Sequence, residues 1–262
     1  MLTDQPNLIV TLFVSIIFII RIKLSYCYKL TSIDLPSSPS STTTGLLGVL
    51  TSQSTDLWIN GIVPYRFSPK FDDWGQLEVR SAMDMIESVS CVKFIEAQQS
   101  AIDYVLISPG RGCSSEIGKV GGRQDLYLDI PYCVDRGTIL HELLHTLGLM
   151  HEHARPDRDN YININWSNID EKHRRNFKLL PKLLGDLYSD EPYDYKSIMH
   201  YSSSMWSVDP KLPTITPKGS EVAINELGYH LENKSLSPDD INKICKLYQC
   251  NRVNNQSNYL RA

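Results

Sequence analysis

HELLHTLGLMHEH, His141 to His153, holds four of the chain's seven histidines in thirteen residues. Ile139, Leu140, Leu143, Leu144 and Leu147 give this stretch one apolar flank at helical spacing, with Thr138 as the expected N-cap. On such a helix His141 and His145 lie four apart, so both imidazoles project from one face about a turn apart. That separation lets two ring nitrogens reach one zinc ion at about 2.0–2.1 Å. Glu142 follows the first of them, placed to touch a metal-activated water without ligating the metal. Gly148 can take a positive φ and end the helix, and His151 then returns as a third ligand. Three neutral protein ligands leave positions open, which marks a catalytic rather than a structural zinc. A bare H-E-x-x-H arises often by chance; Gly148 and His151 at fixed offsets give the motif its weight.

Around this centre the chain divides simply. Its 262 residues suit one catalytic-sized domain plus short extras. A net charge of -4, a pI near 6.0 and the lack of any basic cluster exclude a nucleic-acid partner. Leu8 to Ile20 is a thirteen-residue apolar run, short for a membrane span and right for a signal core. Ser25 and Cys27 stand at the -3 and -1 spacing of a cleavage site, so residues 1–27 read as a signal peptide and the product as secreted and free of membrane. Arg21 and Lys23 follow the run while Asp4 precedes it, which keeps a signal anchor as the alternative. Residues 28–50, with LPSSPSSTTTG inside them, read as a pro-segment or linker, residues 51–250 as the domain, and 251–262 as a polar tail. Three N-x-S sequons, at Asn165, Asn233 and Asn255, suit glycosylation.

The domain begins with strand-like GIVPYRFS, followed by Gln76 to Ser90, where Val79, Ala82, Met83, Ile86 and Val89 recur at helical spacing. CVKFI, DYVLIS and DLYLDI are short β-branched or aromatic runs that read as strands. The expectation is an α+β domain with a mixed sheet leading into the histidine helix. Near the end, Ser237 caps a helix with Pro238 in its first position, and Ile241, Ile244, Cys245 and Tyr248 form its buried face. If Cys27 leaves with the signal, five cysteines remain, enough for two bridges and one free thiol. Cys245 is the expected free one, with a Cys27–Cys245 bridge as the rival.

HELLHTLGLMHE resembles the extended zinc signature of the metzincins, and Glu152 directly after the third histidine looks like the astacin family. The resemblance extends to LWINGIVPYRF, GCSSEIG, RPDRDNYININ (Arg155 to Asn165), SIMHY (Ser197 to Tyr201) and LSPDDINKICKLYQC, over roughly residues 50 to 250. It implies a two-subdomain catalytic domain: a mixed twisted sheet with helices above, a mostly irregular C-terminal half, and one zinc in the cleft between. It implies a monomeric, secreted zinc endopeptidase that hydrolyses protein or peptide substrates, with Glu142 as general base.

The resemblance also assigns roles. Met199 would form an apolar floor beneath the zinc, and Tyr201 would be a further metal ligand that swings to stabilise the transition state. Taken alone, Met199 reads as a core filler and Tyr201 as a half-buried tyrosine. His200 should face away from the metal, and nothing in the sequence converges on His153, His173 or His230. Glu152 would pair with an amino terminus freed by a cut between about Gly45 and Ser54. The family's pattern implies the bridges Cys91–Cys250 and Cys113–Cys133. Two departures stand out. Ser114 and Glu116 occupy GCSSEIG, where the family often carries an aromatic after the cysteine, and no Phe-x-Gly-Asp latency motif precedes Trp58. A secreted domain that keeps the metal fold but only binds a partner is the rival reading. The presence of Glu142 argues against it, because a structural zinc needs no base.

Overall fold

The computed structural model describes residues 57–181 and 191–250. The signal segment, the pro-segment, the cut region and the tail lie outside the described residues. Period-two burial builds the first half. In Ile62–Phe67 (β1), Val63 and Tyr65 are buried while Ile62 is exposed. Asp73–Val89 (α1) follows, capped by Asp72, whose Oδ1 accepts from the Gly75 amide at 2.7 Å. Its buried face is Val79, Ala82, Met83 and Ile86, four of the five expected positions, with Val89 half-buried at the helix end. Lys93–Glu96 (β2), Tyr104–Pro109 (β3), Ser114–Ser115 (β4) and Arg123–Leu128 (β5) complete a five-stranded sheet of order β2-β1-β3-β5-β4. Four strands are parallel, in registers such as Val63↔Phe94, Tyr65↔Val105 and Ile107↔Leu126. The two-residue β4 runs antiparallel to β5 at one edge, which makes the sheet mixed.

The histidine helix is Arg136–Thr146 (α2). Its buried leucines join the apolar side chains of α1 and the sheet in one core that includes Val63, Met83, Ile107, Leu126, Leu140 and Leu144. The second half carries little regular structure: Ile162–Ile164 (β6) pairs antiparallel with Ile215–Pro217 (β7), and short 3-10 turns link the rest. These elements surround a separate small core of Ile162, Ile169, Phe177, Tyr193, Ile215 and Leu227. After the short Tyr229–Glu232 (α3), Pro238–Leu247 (α4) returns to the first core through Ile241 and Ile244. Its start is a reciprocal capping box between Ser237 and Asp240.

Two disulfides join described residues to each other: Cys91 to Cys250, across 159 residues, and Cys113 to Cys133, in the segment before α2. The free thiol expected at Cys245 is a correction, because Cys245 is disulfide-bonded and no cysteine among the described residues is free. Helical periodicity placed it correctly on the buried face, but burial does not distinguish a thiol from a half-cystine. The rival bridge to Cys27 falls on a residue outside the described ones.

Candidate active site

The helix carrying HELLH begins earlier than expected. Asp135 is its N-cap, accepting from the amides of Gly137 and Thr138 at 3.0 and 3.4 Å, so Thr138 lies inside the first turn. Thr138 also donates its hydroxyl to Asp135 Oδ2 at 2.5 Å. Gly137 lets the C-terminal half close on this helix, since a Cβ there would collide with the Leu231 carbonyl oxygen. The other end turns at Gly148, whose φ of 102° suits glycine alone. Its amide bonds the His145 carbonyl at 2.8 Å, and the next carbonyl, of Leu149, accepts from His145 Nδ1 at 2.8 Å. The turn that ends the helix therefore also orients the second histidine.

His141 Nδ1 likewise donates to the Ile198 carbonyl at 2.8 Å. With the Nδ1 protons committed, the Nε2 lone pairs of both rings face inward. His151, beyond the turn, brings a third ring, and one nitrogen from each lies within 4.8 Å of the others. The His141 and His151 Nε2 atoms are 3.2 Å apart. Two ligands about 2.0–2.1 Å from one tetrahedral ion would stand about 3.3–3.4 Å apart, so the His141–His151 pair is already spaced close to that of two zinc ligands. Burial holds all three imidazoles neutral, the form that ligates: His145 is pushed down to about 3, and His141 and His151 also fall, His151 further lowered by its neighbouring rings.

Glu142 is buried beside this cluster, and its Oε2 has no hydrogen-bond partner among the described residues. Burial lifts its carboxyl to about 8. A carboxylate left unpaired in such a setting calls for a nearby cation, which would draw its proton affinity back down.

Opposite the helix, Ser197 to Tyr201 form a tight turn. Met199 is buried in the first core, while Tyr201 packs against the second, so the turn bridges the two. The Tyr201 ring lies 4.9 Å from that of His151. These observations agree with the sequence comparisons. The model of the astacin peptidase family matches residues 50–249. The chain belongs to the astacin family. It is 36% identical over 203 residues to zinc metalloproteinase nas-14 of Caenorhabditis elegans, covering 77% of this chain and 39% of that protein. It is 38% identical over 201 residues to nas-4 of the same nematode, covering 74% and 59%. The chain thus spans 39% and 59% of the length of these two curated relatives. Among solved structures it is similar to high choriolytic enzyme 1, a hatching enzyme zinc-protease from Oryzias latipes, with 31% identity and a TM-score of 0.67. That alignment covers 81% of this chain and 98% of the other.

In this astacin-family domain several supporting residues escaped sequence reasoning. Asp240 of α4 anchors the turn: its carboxylate accepts from the Ser197 hydroxyl at 2.5 Å, the Ile198 amide at 3.0 Å and the Ser237 amide at 2.9 Å. It thereby fixes the very residue whose carbonyl orients His141. His153 is fully buried, stacked on Tyr201 with centroids 3.8 Å apart, and bonds the Asn176 carbonyl through Nε2. His200 faces the second core, bonded to the Tyr193 hydroxyl at 2.8 Å. Two other histidines stand apart from the triad: His173 stacks on Trp206, and His230 bonds Ser235 on the outside. Glu152 is buried between two cations. Its Oε1 accepts from Arg155 at 3.0 Å and from the Asp194 amide at 3.0 Å, and its Oε2 accepts from Lys243 at 2.7 Å.

Proposed function

We propose that this chain is a secreted zinc endopeptidase that hydrolyses peptide bonds in proteins or peptides, with His141, His145, His151 and Tyr201 as the ligand set for one zinc. The observation that carries the reading is the convergence of three neutral imidazoles, two buried and His151 half-buried, beside a buried carboxylate with an unpaired oxygen. When bound, zinc supplies Lewis acidity, which lowers the pKa of water and polarises a carbonyl. Glu142 takes the proton of the attacking water through its unpaired oxygen and returns it to the leaving amine. The Tyr201 hydroxyl donates to the oxyanion that develops on the scissile carbonyl. Met199 closes the floor with an apolar surface that keeps water out from below. β4 supplies an open sheet edge beside α2, joined to it by the Ser115–Thr146 hydroxyl contact at 2.8 Å. An extended peptide can add to such an edge by backbone hydrogen bonds.

Glu152 is proposed to receive the amino terminus freed by a cut between about Gly45 and Ser54. Its carboxylate already accepts from Arg155 and Lys243, so an incoming amine would share that cluster rather than complete it. Export through the 1–27 signal, with glycosylation at the sequons, belongs to the same proposal. Incubating the purified full chain with a peptide library tests the reading. Internal cleavage that a chelator abolishes and added zinc restores is the expected result. Cleavage indifferent to the chelator would contradict zinc dependence, and none from zinc-loaded protein would leave a metal-binding fold that serves only to bind.

A further inference from the structure

A cavity of about 490 Å³ opens in the second half of the chain, and neither Glu142 nor any of the three clustered histidines lines it. Three cations from well-separated stretches of sequence meet there: Arg158, Lys178 and Lys218. Asp159 is the one carboxylate of the lining, so three positive charges against one negative leave +2, within a chain of net charge -4. Arg158 is fixed in place. Its side chain is 3% exposed, and it donates through Nε to Asp159 Oδ1 at 2.7 Å and through Nη1 to the His153 carbonyl at 2.9 Å. Lys218 donates to the Asp159 carbonyl, and Lys178 is exposed. Trp166 adds a half-open aromatic wall, met edge-on by Phe177 at 6.4 Å, with the Arg158 guanidinium 6.0 Å from its ring centre.

Ile162, Asn163 and Ile164, the whole of β6, line the same cavity. Successive side chains of a strand point to opposite faces, so a cavity that touches all three runs along the strand's edge. That edge is open. β7 takes the other side of β6: the Lys218 amide donates to the Tyr161 carbonyl and the Asn165 amide to the Thr214 carbonyl, both at 2.8 Å. Backbone groups alternate sides in an antiparallel pair, so those of Ile162 and Ile164 face away from β7. No second strand pairs with β6 among the described residues.

We propose that this cavity is a second peptide-binding site, in which an extended acidic segment of a protein substrate adds to the free edge of β6 and sets its carboxylates against Arg158, Lys178 and Lys218. The inference rests on the peptidase reading given above, which makes the bound segment part of a substrate. The strand edge supplies backbone hydrogen bonds to any sequence, and the cations and Trp166 supply the choice among sequences. Charge selects the occupant: the +2 cavity attracts a carboxylate-bearing chain that the acidic remainder of the molecule repels. Apolar lining from Ile164, Trp166 and Leu179 favours a peptide with apolar residues between its carboxylates over a sulfated sugar. A long substrate held here gains an effective concentration at the histidine cleft that a short peptide lacks.

The probe is fluorescein-labelled Glu-Val-Glu-Val-Glu-Val, titrated into the full chain carrying Glu142→Gln so that it stays uncut. It should bind more weakly as salt is raised, and Lys178→Glu should weaken it about tenfold. The fully N-methylated peptide, which cannot donate to a strand edge, and the matched Lys-Val-Lys-Val-Lys-Val peptide should both fail to bind. In the chain with Glu142 intact, Lys178→Glu should raise KM for a protein carrying an acidic segment and leave turnover of a short neutral peptide unchanged. Acidic-peptide binding untouched by Lys178→Glu or by N-methylation would overturn the proposal, as would equal binding of the basic peptide. So would preference for a heparin oligosaccharide over the acidic peptide, or an equal loss of turnover on both substrates. Zinc-loaded parent protein that binds the acidic peptide as expected but cleaves nothing would overturn the peptidase reading, and the substrate role with it, while the binding site stands.

Discussion

Lys243 carries an ammonium into the protein interior, with 4% of its side chain exposed, and its partner Glu152 is as deeply placed. Taking both charges from water is costly, and each is tolerated because the other is there. Arg155 and the Asp194 amide hold the second carboxylate oxygen, so removing Lys243 leaves Oε2 without that bond while Oε1 keeps its own. Lys243→Met should therefore lower unfolding free energy by about 3 kcal/mol, near the low end for a broken buried pair. Urea denaturation of the two proteins measures this directly. A change below about 0.5 kcal/mol, the size of a surface substitution, would contradict the account.

Among elements, α4 does more than close the first core. Through Asp240 it fixes Ser197 and Ile198, and the Ile198 carbonyl in turn holds His141. Partners of a ligating histidine typically contribute 10–100-fold in metal affinity when altered, so Asp240→Ala should weaken zinc binding by about tenfold in competition with a chelator. Asp240→Asn, which keeps one acceptor and gains a donor that the Ser197 oxygen can take, should stay close to the parent. Equal affinity in Asp240→Ala and parent would contradict this chain of contacts. Elements with a strong period were legible in the sequence. The strands β1, β3 and β5, the helices α1 and α4, and the convergence of His141, His145 and His151 all follow from spacing. The first turn of α2 was misread because Asp135 and Thr138 both satisfy the capping rule, and only the backbone decides between them. His153 and Trp206 were not legible at all. Their partners Asn176, Tyr201 and His173 lie in a half built from short turns, where no periodic pattern says which side chain faces which.

For the whole molecule, the site lies where two separately packed cores meet. The first contributes α2 with its two histidines and Glu142 and, across the turn, Met199; the second packs against Tyr201, with His151 between. The Cys91–Cys250 bridge ties the end of α4 to the strand edge of the first core, which keeps the Asp240 anchor in register with the sheet. On this account α2 supplies two metal ligands, His141 and His145, and a separate proton-transfer group, Glu142, so the two functions should separate on mutation. Glu142→Gln removes the base and leaves every imidazole in place. Zinc content and peptide turnover, measured together on that variant, test the claim most directly. One zinc per chain with turnover reduced by about 10²–10⁴-fold is the expected result. Undiminished turnover would contradict it, and so would loss of the metal.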